Sequence, residues 1–144
     1  MFRRFLFVIL LGIVLLVGCN SDLSLSLTEK SDGSLSKDIQ SFFHDVNEQN
    51  GVHLYFDNQN SSIFVYLNGS NVKQGEKAVH FTNFNVKADR ETISLSYESD
   101  QTSNYSDEAF SNELFYEIKV DKNYETIKLF NNGEETHFGS ISGN

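Results

Sequence analysis

Proline and tryptophan are absent from this 144-residue chain, and cysteine occurs once. A single cysteine excludes an internal disulfide framework and any zinc site built on paired cysteines. The lack of proline excludes a stiff proline-rich spacer. Basic residues are scarce, with 11 Lys and Arg against 20 Asp and Glu, for a formal charge of −9. A nucleic-acid partner would need a basic stripe to displace counterions from phosphates, so that class is excluded. Gly69, Gly75, Gly133 and Gly139 stand singly, which leaves no glycine-rich phosphate loop. What remains is long enough for one domain whose core folds without metals.

Hydrophobic residues are concentrated at one end. Fourteen of the first eighteen residues are apolar, and the other 126 are only 33% apolar. Arg3 and Arg4 precede an apolar run from Phe5 to Val17 that only Gly12 interrupts. That run suits the central region of a signal peptide and falls short of the roughly 20 residues of a membrane-spanning helix. It stops at Leu16-Val17-Gly18-Cys19, followed at once by Asn20-Ser21-Asp22. Here the chain resembles bacterial lipoproteins, whose lipobox has this order of residue types. The resemblance implies that Leu16, Val17 and Gly18 are read by the lipoprotein signal peptidase and that residues 1–18 are removed. It also implies that the Cys19 thiol carries a diacylglyceryl group. Two acyl chains give lasting attachment, where one binds only marginally.

Residues 19–34 read as a flexible tether of small polar residues, although Leu23, Leu25 and Leu27 alternate with serines. Residues 35–144 then read as one domain. Leu35, Ile39, Phe42, Phe43 and Val46 form a helical stripe, which predicts a helix over about 36–49. Ser34 or Ser36 is available as its N-cap and Gly51 closes it.

After Gly51 the period changes to two. Val52, Leu54 and Phe56 alternate, then Ile63, Val65 and Leu67, with Asn68-Gly69 as a hairpin turn. Val79 and Phe81 share a face with Phe84 and Val86 only if a bulge near Thr82–Asn83 resets the register. Asp89-Arg90-Glu91 turns the chain into Ile93, Leu95 and Tyr97, and Ser99–Ser111 reads as a long acidic loop. Leu114 to Val120 and Tyr124 to Phe130 are strands, and Asn132-Gly133 turns into a short piece at Thr136–Phe138. The order predicts an α+β fold, one helix packed on an antiparallel meander of about six strands. In element order it is loosely similar to cystatin-like lipoproteins. A small β-sandwich is the alternative.

Chemical candidates are few. His44, His53, His80 and His137 lack ligand spacing and are expected to face solvent. Asp121 to Glu125 imitates the start of a calcium loop but lacks the glycine at position six and the closing glutamate. No Gly-x-Ser-x-Gly or Ser-x-x-Lys occurs, so no catalytic residue, metal or cofactor is assigned. Asp107-Glu108, Glu113 and Glu134-Glu135 read as a solvated acidic surface.

One face resists that reading. Tyr55, Phe64, Tyr66 and Phe115 fall opposite the inward positions, with His53, His80 and Glu117 nearby. The tether or another strand covers this face, the fold is a closed sandwich with two apolar faces, or it binds a partner. The functional expectation is a binding or accessory protein on the extracytoplasmic side of the cell membrane, anchored by the acylated cysteine. It contacts another envelope protein and no nucleic acid. The composition suits a low-GC Gram-positive cell, and the lipoprotein resemblance implies roles such as surface exclusion or immunity. An envelope hydrolase without a recognisable motif is the competing class.

Overall fold

The computed structural model describes residues 25–103 and 111–144. β1 is Ser26–Lys30, a 3-10 turn spans Asp32–Ser34, and helix α1 is Lys37–Asp45. The strands β2 (Gly51–Asp57), β3 (Ser62–Asn68), β4 (Ala78–Asp89) and β5 (Thr92–Thr102) follow. After them come β6 (Glu113–Lys119), β7 (Thr126–Asn131), β8 (Glu134–Thr136) and β9 (Ile141–Gly143). They build two sheets, one of five strands in the order β1-β6-β3-β2-β9 and one of four in the order β4-β5-β7-β8.

This corrects the expected α+β meander. The described residues form a mostly-β sandwich with one α-helix on its outer face, and the small β-sandwich held as the alternative fits it. The reason lies in the crossings. β3 leads into β4 of the other sheet, β6 into β7, and β8 back to β9. With β6 in the opposite layer, β5 and β7 meet side by side in parallel. A period of two shows which residues point inward, and it is identical whichever sheet receives the strand.

The core lies between the sheets. Val52, Leu54, Ile63, Val65, Leu67 and Ile118 of one sheet meet Phe81, Ile93, Leu95, Tyr97 and Leu129 of the other. Burying each of these side chains contributes about 1.5–3 kcal/mol. β3 is the central strand and all seven of its residues are buried. Its odd-numbered residues face the second sheet and its even-numbered ones face the helix.

Local signals account for the turns. The hairpin between β4 and β5 closes over Arg90–Glu91, and the bulge expected at Thr82–Asn83 is present as a register shift between Thr82 and Asn85. Asn132 and Gly133 both have positive φ, 51° and 85°, the signature of the tight turn that joins β7 to β8.

Besides the acidic loop read at Ser99–Ser111, whose first residues Ser99–Thr102 belong to β5 and pair with β4, three more readings differ from expectation. The tether assigned to 19–34 is ordered from β1 onward. Ser26–Lys30 pairs antiparallel with β6, and Leu25 and Leu27 pack on the inter-sheet core, so the leucine alternation is a strand signal. The helix ends at Asp45, short of residue 49, because the chain tightens there. Asn47 N donates to His44 O at 3.3 Å and Gln49 N to Val46 O at 2.9 Å. The third difference is Asn68-Gly69, which opens a crossing between the sheets and makes no hairpin. Asn68 is buried there, and its amide donates to the carbonyls of Asn47 and Gln49 at 2.7 and 3.0 Å.

Candidate functional site

The outer face of the five-stranded sheet carries His53 and Tyr55 from β2, Phe64 and Tyr66 from β3, and Phe115 and Glu117 from β6. Helix α1 lies on it through Ile39 and Phe43, and Leu35 just before the helix and Val46 at its C-terminal end complete the cover. Phe43 stands 5.3 Å from the Tyr66 ring and 5.8 Å from Phe115, and Phe42 stands 5.7 Å from Tyr55. Tyr66 and Phe115 stack at 4.5 Å with their planes parallel.

The four aromatics expected as a partner-binding face are therefore brought together, but as the seat of the helix. Tyr55, Phe64 and Tyr66 are buried, and Phe115 is half-buried. The apolar stripe of α1 and this aromatic face each need cover from water, and each supplies it to the other. Of the three readings left open by the sequence, coverage is what occurs. The covering element is α1 with the residues that flank it; among the described residues, neither 25–34 nor a further strand contributes an apolar side chain to this cluster.

Beside that seat runs an open groove of about 600 Å³. Lys37, Gln40 and His44 of the helix line one wall, Glu113 and Phe115 the other, and Phe43 and Tyr66 form the floor. The Tyr66 hydroxyl donates to Glu113 Oε1 at 2.6 Å. Burial, then this hydrogen bond and the charges of Glu113 and Asp32, push the Tyr66 pKa far up. At neutral pH it remains a phenol with its proton committed to Glu113, which makes it a poor general base and nucleophile. The groove has the chemistry of a contact surface, an aromatic floor with charged walls of both signs.

A second polar cluster lies lower on the same face. Glu117 accepts from Lys30 at 2.8 Å, Lys119 at 3.2 Å and the Ser62 hydroxyl at 3.0 Å. Burial alone would raise its pKa, but these donors outweigh burial and hold it below the usual carboxylate value. The cluster ties β1, β6 and β3 together across their strand pairing.

The histidines divide. His44 and His137 are exposed and His80 is half-buried. His53 is fully buried, which corrects its expected place in solvent. Its position opposite the inward residues was read properly from the alternation; the helix side of the sheet is simply not open to water. His53 Nε2 lies 2.9 Å from the Gln49 carbonyl, and its Nδ1 accepts from Ser140 N at 3.1 Å. Among the described residues, no three His, Cys, Asp or Glu side chains converge on a possible metal site. Asp121 accepts from the Tyr124 hydroxyl at 2.9 Å, and Glu135 pairs with Lys128 at 3.3 Å. Leu16, Val17, Gly18 and Cys19 lie outside the described residues, as do Asp107 and Glu108.

Sequence reasoning missed both the Tyr66–Glu113 pair and the His53 contacts. Glu113 reaches Tyr66 from a strand 47 residues away, and Ser140 reaches His53 from 87 away. No local pattern encodes such meetings. No protein-family model matches the chain, and no curated protein and no solved structure matches it significantly.

Proposed function

We propose that this chain is a lipid-anchored binding protein on the extracytoplasmic face of a bacterial cell membrane, acting through contacts with another envelope protein. The observation that carries the reading is Leu16-Val17-Gly18-Cys19, placed directly after an apolar run and a pair of arginines. The position of β1 supports it. Six residues separate Cys19 from Ser26, a reach of at most roughly 25 Å, so an anchor there holds the sandwich close to the bilayer. The groove between α1 and the start of β6 is the surface offered to a partner. It takes the place of the covered face of Tyr55, Phe64 and Tyr66.

The anchor and the contact surface have separate tests. Cys19→Ala should leave unprocessed precursor and abolish labelling by a fatty-acid analogue, whereas normal processing and labelling overturn the anchor. A photo-crosslinking residue at Gln40 in native membranes should capture one envelope protein repeatedly, and the same residue at the remote hairpin position Arg90 should not. Equal capture from both positions overturns the groove as the contact surface.

A further inference from the structure

We propose that the segment 139–144 is a pH-dependent latch on the edge of β2, held closed by neutral His53 and released when that ring gains a second proton. The inference goes beyond the binding role and does not depend on the anchor.

The contacts fix the protonation state of the closed form. Nδ1 accepts a hydrogen bond from the Ser140 backbone N–H and so carries no proton. Nε2 faces the Gln49 carbonyl, an acceptor, and so carries the only one. A proton added to Nδ1 would point at the Ser140 N–H, replacing an attraction with two opposed donors in a site that water does not reach. The neutral ring is the only form that satisfies both neighbours.

The surroundings offer the charged ring no compensation. From β3 the neighbour is Tyr66, at 5.8 Å between ring centroids, a neutral phenol already committed to Glu113. From the connection after α1 it is the Gln49 carbonyl, which also accepts from Asn68. From the latch itself it is Gly139, where an added Cβ would lie 2.7 Å from the imidazole Cε1, and then Ser140. Glu48 and His137, the ionisable groups next along these two segments, are exposed. No described ion pair includes His53. Burial lowers the ring's pKa below its ordinary value of 6.5, and the Gln49 hydrogen bond offsets only part of that.

The rest of the latch is slight. β9 has three residues, all exposed, and pairs only with β2, in parallel. Beyond the ring and the three residue pairs with β2, it is held by Gly139 N to Val52 O, Leu54 N to Ser140 O, Asn144 N to Phe56 O and the Asn58 amide to Asn144 O. β2 and β3, in contrast, share seven residue pairs and the inter-sheet core. Loss of the imidazole contact therefore frees 139–144 before it disturbs the sheet, and bares the backbone edge of β2 at Leu54–Phe56 for an added strand.

The sign follows from linkage. The closed form holds His53 with a lowered pKa, so it is fully favoured above about pH 6.5 and loses ground as the pH falls through that value toward the lowered one. One proton is involved, so the open fraction rises by at most about tenfold per pH unit. Amide and imidazole NMR signals followed from pH 7.5 to 4.5 on the full chain test this. The expected result is loss of exchange protection at Gly139–Gly143, and at Leu54, whose N–H donates to Ser140 O, that follows the His53 ring titration, with the β3 amides and the β2 amides bonded to β3 still protected. His53→Gln should make 139–144 pH-independent, either stably closed or open throughout, and His137→Gln should leave the wild-type response. Unchanged protection at 139–144 when the His53 ring titrates overturns the latch. So does simultaneous loss of protection in β2 and β3, which would mean global unfolding.

Discussion

At the scale of single residues, the identity of a side chain was legible and its company was not. His53 read as a solvent-facing strand residue and Glu113 as part of a solvated acidic surface, yet each meets a partner far away in the chain. Tyr66 shows what such a meeting is worth. Its ring is fixed by Phe43 on one side and Phe115 on the other, and its hydroxyl has one acceptor, Glu113. Tyr66→Phe keeps the ring contacts and removes the donor. The expected loss is about 0.5–1.5 kcal/mol in urea unfolding, less than the neighbouring apolar truncations cost, because Glu113 is exposed and water replaces the lost donor. A loss as large as that of a core truncation would mean that the hydroxyl holds more than this one bond.

At the scale of elements, the helix was legible in its stripe, since Leu35, Ile39, Phe43 and Val46 are all buried. Its end was not, because Asn68 and His53 capture the carbonyls of Gln49 and Asn47 from outside the helix. The second apolar face of β3, carrying Phe64 and Tyr66, was visible as a set of residues that ought to be covered. Which element covers it depends on the path of the chain after β1, and the sequence shows no period for that. Phe43 is the key of this layer, touching Phe42, Tyr66 and Phe115 while only 2% exposed. Phe43→Ala should cost about 3–5 kcal/mol. Near-ultraviolet circular dichroism of the tyrosines would report the loosened helix, and an unchanged spectrum with unchanged stability would contradict the seat described here.

At the scale of the molecule, the α-helix of the described residues was legible, and the two-layer arrangement was not. Hairpins such as that over Arg90–Glu91 announce themselves, because the turn residues lie between the strands they join. The parallel pairing of β5 with β7 does not, since the strand between them has gone to the other sheet. β1 was read as tether for a related reason. It is five residues long and its partner lies about ninety residues on, so only the assembled sheet explains it. Leu27 stands opposite Ile118 and packs on the inter-sheet core. Leu27→Asp should detach β1, lower stability by about 1–3 kcal/mol and open residues 25–34 to proteolysis while the rest of the sandwich resists. Uniform resistance would show that β1 is held by more than its pairing and Leu27.

The pairing of β1 with β6 also sets how the molecule bears a mechanical load. If the chain is held at Cys19 and pulled by a partner at the groove, tension enters at Ser26 and runs along the strand toward Lys30. The five residue pairs from Ser26–Lys119 to Lys30–Phe115, with the Lys30–Glu117 ion pair, then share the force in shear. They are not peeled apart one at a time. A strand loaded in shear yields only when all its bonds fail together, so five residues can serve as a firm mechanical root for the whole sandwich.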